Sequence, residues 1–275
     1  MAVLKTCFPV AQVVRRRHPF LKRACHLALW CVWMIANLGR AGDAGFTNAL
    51  AQAALAAKRG EVPAAVKIYG DAEWTESGNS AGLCVLARRY CDLMYLTNSV
   101  SVQKDLADRA LACSLQAVKA DSNNATAHAC VAVCCAKECA FADVRAELDY
   151  SRRFKLEAEK TIALDPRQDI AYYLLGRWNY GVANVGLLSR TFVKLVYGGL
   201  PPASNADAIA NFKKAIELAP DRIIHHAGLA MVYEATGQKQ LELTELKKCR
   251  DLKPSGLEDQ DAQRDAVKKM AALGQ

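Results

Sequence analysis

The sequence predicts an all-α protein in which helical hairpins stack into a superhelix, or solenoid, and three observations carry that prediction. Apolar residues recur at helical spacing through most of the 275 residues, and no stretch shows the alternation of a half-buried strand. The run AEKTIALDPRQDIAYYLLGRW, 158 to 178, stops at Asp165-Pro166 and restarts at Ala171. Pro166 lacks an N–H and its ring clashes one turn back, so this reads as helix, tight turn, helix. The same grammar occurs three times, in Leu115 to Cys135, Glu159 to Asn179 and Lys213 to Tyr233, which align without gaps.

Taken in order, periodicity predicts helices at 45–59 and 62–76, then one at 79–97 that carries Leu83 to Tyr90 on an apolar-polar pattern like that of Tyr173 to Tyr180. The helix at 100–120 holds Ala117 at its end, and 125–139 places Val131 and Cys135 on a core face. The helix at 142–164 closes with Ile162 and Leu164 before the Asp-Pro stop, and 168–184 opens with Ala171, Leu174 and Leu175. An insertion, Val185 to Asn205, reads as a short extra helix and a turn: Gly198-Gly199 and Pro201-Pro202 end it, and Ser204 or Asn205 caps the next helix. Helices at 206–218, 222–236 and 238–252 complete the array. The last, at 257–273, is the most polar and suits the capping end that a solenoid needs for solubility.

In the repeated segments Ala117, Thr161 and Ala215 share one position, and Ser122, Pro166 and Pro220 share the turn. Ala132, Gly176 and Ala230 share a small-residue position where two helices can approach closely. The pattern resembles the tetratricopeptide repeat, through Leu175, Gly176, Pro166, Pro220, Tyr233 and Ala208. It departs from it at Cys135 and Asn179, which replace an aromatic, and at Phe154, which stands where alanine is usual. Its spacing, 44 and then 54 residues, also exceeds the usual 34.

Larger pieces resemble the regulator of microtubule dynamics protein family across residues 55 to 273. They are Leu86 to Tyr90, AEKTIALDPRQ before YYLLGRWNYGVA, SRTFVKLVYGGLPPAS, ANFKKAIELAP and EDQDAQRDAVKKM. That resemblance implies a helical-repeat protein associated with microtubules or spindles, with family members also at mitochondria and the endoplasmic reticulum.

The net charge of +8 is unevenly placed. Residues 1 to 60 carry nine of the 36 basic residues and a single acid, Asp43, which leaves 27 of each sign in the remainder. A balanced body offers no counterion-releasing surface to a polyanion, so nucleic acid is not an expected partner. The domain division read from the sequence is 1–44 as a targeting or anchor segment and 45–275 as the helical-repeat domain. Arg15 to Arg17, Lys22 and Arg23 precede an apolar run, Ala24 to Leu38. Its 15 residues cover about 22 Å as a helix, short of the roughly 30 Å hydrocarbon core. The expected address is the mitochondrion, with the endoplasmic reticulum membrane or the cytoplasm and cytoskeleton as alternatives, and a membrane is reached through this segment.

Eleven cysteines fall mostly inside apolar-periodic runs and read as small hydrophobes of a reducing compartment. His128, Cys130, Cys134, Cys135 and Cys139 invite a metal reading. Four ligands on one helix cannot surround a tetrahedral ion without a partner helix, and Cys135 and Val131 fall at repeat core positions, so buried small hydrophobes are expected and no metal or cofactor. No nucleophile elbow, HExxH or phosphate loop is present, and the expected class is not an enzyme. Binding is expected on inner-helix positions: Tyr173, Arg177 and Tyr180, then Met231, with Arg88 a weaker equivalent of Arg177. An arginine flanked by tyrosines can fork onto a carboxylate while the rings supply apolar contact, which suits an acidic peptide such as a tubulin tail. The expected function is a non-enzymatic scaffold for a protein partner, with a chaperone or membrane-complex adaptor, or a lipid or small-ligand binder, as alternatives.

Overall fold

The structure, a computed structural model, describes residues 44–274, so the expected leader lies outside the described residues apart from Ala44. Among them are twelve helices and no strand. They are α1 (Ala44–Lys58), α2 (Val62–Thr75), α3 (Ser80–Met94), α4 (Val100–Ala120), α5 (Ala125–Glu138), α6 (Val144–Leu164), α7 (Asp169–Ala183), α8 (Leu187–Tyr197), α9 (Asn205–Leu218), α10 (Ile223–Ala235), α11 (Lys239–Asp251) and α12 (Leu257–Ala272). The fold is all-α and tetratricopeptide-like. Among the described residues no helix is long and apolar enough to cross a membrane. The chain divides into two compact units, 44–130 and 131–274, with the boundary inside α5.

In the first unit α1 packs on α2, α2 on α3 and α3 on α4. Leu83 and Cys84 of α3, Ala117 of α4, and Ala127 and Cys130 of α5 form one core cluster. Side-chain caps start two of these helices: Asn79 accepts from the Gly82 N–H at 3.2 Å, and Ser99 accepts from that of Val102 at 3.4 Å. The helix expected to reach residue 97 ends at Met94. There the buried Gln103 donates its amide to the Met94 and Thr97 carbonyls at 3.1 and 2.9 Å, so acceptors that a longer helix would consume are satisfied from α4.

The second unit continues the pairing. α6 packs on α7, α7 on α9, α9 on α10 and α10 on α11, and α12 packs on both α10 and α11. The insertion is the short helix α8, which ends where Gly198 and Gly199 both take positive φ, at 81° and 105°. Their N–H groups reach back to Val193, a closure that residues with a Cβ adopt only with strain. Of the two cap candidates, Ser204 is the one used, accepting from the Asp207 N–H at 3.0 Å.

The repeated grammar is a repeated turn. The Asp165 carboxylate accepts from the Arg167 N–H at 3.0 Å, and its carbonyl accepts from the Gln168 N–H at 3.3 Å. Asp121 makes the same pair of bonds to Asn123 and Asn124 at 2.9 and 3.3 Å. In the third copy Ala219 keeps the backbone bond, from the Arg222 N–H at 3.3 Å. The N–H of Arg167 also holds the Asp165 carboxyl below its ordinary pKa. Two aligned histidines latch onto these turns: His128 Nε2 lies 2.9 Å from the Ser122 carbonyl, and His226 Nε2 lies 2.8 Å from that of Pro220.

The small-residue position works as expected, with one addition. Ala132 and Ala230 are buried, Ala230 in a cluster with Ile223, Leu246, Cys249, Ala266 and Met270. Gly176 lies against the ring of Phe212, where a Cβ would come within 2.9 Å of Cδ1 and Cε1. Gly228, outside that position, is tighter still, since its Cβ would meet Phe212 Cε1 at 2.4 Å. Phe212 of α9 is thus a fully buried plate between two glycines, one on α7 and one on α10.

The terminal helix is tied in by polar groups. The buried Asp259 accepts from the N–H of Ile224, in the first turn of α10, at 3.1 Å, from the Ser255 N–H at 3.0 Å, and from the Ser255 hydroxyl. It supplies α10 with a cap that α10's own flanking residue, Arg222, does not make. Lys269 pairs with Glu234 of α10 and, at 3.0 Å, with Glu242 of α11.

Gly228→Ala should cost about 1–3 kcal/mol, because the added methyl overpacks against a ring with nowhere to go. Gly70→Ala is the control: a Cβ there meets nothing within 4 Å, and this open helical position should gain about 0.5–1 kcal/mol. Urea melts followed by circular dichroism separate the two. A Gly228 variant as stable as the wild type would show that the ring is not confined at that crossing.

His226 has an acceptor on each ring nitrogen, Glu245 at 2.7 Å from Nδ1 and the Pro220 carbonyl on Nε2, which suits the doubly protonated ring. Burial opposes the charge and Lys248 adds to that opposition, but the bonds to Glu245 and Pro220 outweigh both, so the pKa is raised. The resulting stabilisation is fully present below the unfolded histidine value, about 6.5, and is lost as pH rises through the higher folded value. Wild-type stability should therefore fall relative to that of His226→Ala between neutral and mildly alkaline pH. Parallel denaturant melts across that range read the difference directly.

Candidate partner-binding surface

α7 carries most of the predicted binding residues on one face. Its first turn is built by charge: Asp169 lies 3.4 Å from Arg222 Nη1 and 3.2 Å from His225 Nε2. Burial pushes the Asp169 carboxyl up, but His225 and Arg222 outweigh it and the pKa is lowered, so the carboxylate is charged at neutral pH. One turn on, the Tyr173 ring packs 5.6 Å from the His225 ring and 5.8 Å from Phe212 and is buried. One turn further, Arg177 Nη1 donates to the Tyr173 hydroxyl at 3.1 Å, and its guanidinium carbon lies 5.9 Å from the Tyr173 ring centroid.

Tyr173 and Arg177 are thus brought together. Tyr173 contributes as a buried support, and Arg177 stays half-buried at the surface. Tyr180 follows on the same helix, half-buried, with its carbonyl accepting from Asn184 at 2.7 Å. Met231 is half-buried on α10, which touches α7. Arg88 is exposed on α3, in the other unit.

Sequence reasoning missed the support beneath this row. Asp169, Arg222 and His225 hold the start of α7 against α10 from positions 53 and 56 residues apart in the chain. The one available signal was His225-His226 at a helix start, and both residues are buried.

The cysteine group resolves into packing. Cys130, Cys134, Cys135 and Cys139 are all buried, and Cys139 donates to the Glu147 carbonyl at 3.8 Å. Burial pushes the Cys135 thiol up to about 12, and does the same for Cys249. Among the described residues no group of three or more His, Cys, Asp or Glu could hold a metal ion.

Residues 49–274 match the family described as regulator of microtubule dynamics protein 1-3. Regulator of microtubule dynamics protein 3 of Xenopus laevis is 29% identical over 182 residues, covering 64% of this chain and 38% of that protein. Regulator of microtubule dynamics protein 2 of Homo sapiens is 27% identical over 188 residues, covering 68% and 46%. The chain spans less than half the length of these relatives. A thermophilic TPR protein of Thermus thermophilus shares the fold, with a TM-score of 0.55 at 17% identity, covering 81% of this chain and 98% of that one. With more than two thirds of its length matched, the chain belongs to the regulator of microtubule dynamics protein 1-3 family.

Proposed function

We propose that the protein is a non-enzymatic helical-repeat scaffold that captures an acidic segment of a protein partner on the α7 face, and that this partner is the microtubule. The observation that carries the reading is Arg177, half-buried on α7 with its Nη1 oriented by the Tyr173 hydroxyl at 3.1 Å. A guanidinium held in place by a ring forks onto a carboxylate with less ordering cost than a free one. Tyr180, on the same face of α7, offers apolar contact; Met231 on α10 and Arg88, exposed on α3 of the other unit, are separate candidate contacts. The family name supports the choice of microtubules. We place the address in the leader, 1–44, with the mitochondrion first and the endoplasmic reticulum membrane or the cytoskeleton as alternatives; fusing residues 1–45 to a reporter reads it.

Co-sedimentation of the full chain with polymerised tubulin tests the partner. Binding should be strongest at low salt, where exposed charge is least screened, and Arg177→Glu should weaken it about tenfold, with a smaller loss for Arg88→Glu. Arg177→Lys should recover part of the loss, since the charge returns without the fork. Absence of binding at low salt sinks the microtubule reading and leaves the chaperone or membrane-complex adaptor and the ligand binder in its place.

A further inference from the structure

α8 presents a surface that the scaffold reading does not use. Val193 is buried beneath it, and Arg190 anchors it by donating to the Val182 and Ala183 carbonyls at 2.8 and 3.4 Å. Its opposite face is apolar and exposed: Leu187, Leu188 and Leu195 are 79%, 83% and 81% exposed, with Phe192 and Val196 beside them. At 3.6 residues per turn these five fall on an arc of about 180°. Five large apolar side chains facing water on an 11-residue helix, with Thr191 the one polar residue on their arc, form a patch and not scattered exceptions.

The margins of that arc are basic. Arg190 and Lys194 run along one side, next to Leu187. At the other lies Val196, which with Tyr197 from the protein-facing side shares a surface depression with Arg145, Leu148, Asp149 and Arg152 of α6, where Asp149 pairs with Arg152 at 3.2 Å. The chain holds no Asp or Glu between Asp169 and Asp207. The Phe192 and Tyr197 rings meet edge-on at 6.2 Å, and tyrosine is an amphipathic ring of the kind that sits at headgroup level.

We infer that α8 is a membrane-surface helix whose Leu187, Leu188 and Leu195 enter the acyl boundary of an anionic bilayer while Lys194, Arg145 and Arg152 meet its headgroups. Leucine-rich aliphatic faces with basic flanks suit lipid. Protein hot spots favour tryptophan, tyrosine and arginine, with leucine under-represented. A two-fold contact between copies would set the Lys194 and Arg145 margins of each against those of the other, with no acid on α8 to neutralise them.

Hydrogen exchange on the full chain tests this without interference from any contact the leader makes, because the readout is local to 187–197. With vesicles of phosphatidylcholine containing about 30% phosphatidylserine, exchange there should slow several-fold, and with phosphatidylcholine alone it should change little. High salt should reduce the effect. The double variant Leu188→Glu, Leu195→Glu should weaken vesicle binding about tenfold and abolish the local protection, since each leucine is lost from the apolar boundary. Exchange over 205–274 should stay at the wild-type level, because both side chains face solvent. The inference is overturned if vesicles bind without protecting 187–197, if the double variant is protected equally, or if protection rises with protein concentration in the absence of lipid, which would identify a second copy as the occupant.

Discussion

The 131–274 unit is organised around one steric constraint, the confinement of the Phe212 ring between backbones that carry no Cβ. A phenylalanine inserted between two ordinary helices would push them apart by the depth of a ring. Here Gly176 and Gly228 remove the two Cβ positions that would collide with it, at 2.9 and 2.4 Å. α7, α9 and α10 close around it, and the Tyr173 ring lies 5.8 Å away on the same plate. Tyr173 in turn holds Arg177, so the orientation of this surface cation descends from the glycine contacts beneath it.

Much of this pairing is written in the chain, though not all at one level. Helix boundaries follow from Asp-Pro, Asp-Ser-Asn-Asn and Ala-Pro-Asp turns, because each turn is closed by bonds within four residues, which local sequence can specify. The Phe212 arrangement is half visible. In the repeat register Ser114, Ala158 and Phe212 share one position, and Cys130, Leu174 and Gly228 another. The aligned residues are small and middling or large in the first two copies and large and absent in the third, where Phe212 meets Gly228, an exchange that only paired reading reveals. The early end of α3 was hidden, because the donor that takes up the Met94 carbonyl comes from Gln103, nine residues further on.

The candidate surface was legible as residue types and not as roles. Spacing put Tyr173, Arg177 and Tyr180 on one face of α7, and they are there. Spacing could not distinguish a ring that greets a partner from a ring that underpins an arginine, since that depends on Phe212 and His225 from other helices. For α8 the reverse holds. Its apolar face reads like any core-facing helix, and only the packing shows that Val193 faces the protein while the leucines face outward.

The cap that Asp259 gives α10 has a consequence for how the molecule tolerates trimming. A helix packed across the edge of a stacked pair contributes more than a hydrophobic cover when polar groups bridge it. Cleavage ahead of residue 257 would here also strand the Ile224 amide, leave Glu234 and Glu242 facing each other without Lys269, and open Leu246 and Cys249 to water. α12 and the start of α10 are therefore joined by polar bonds as well as by apolar packing.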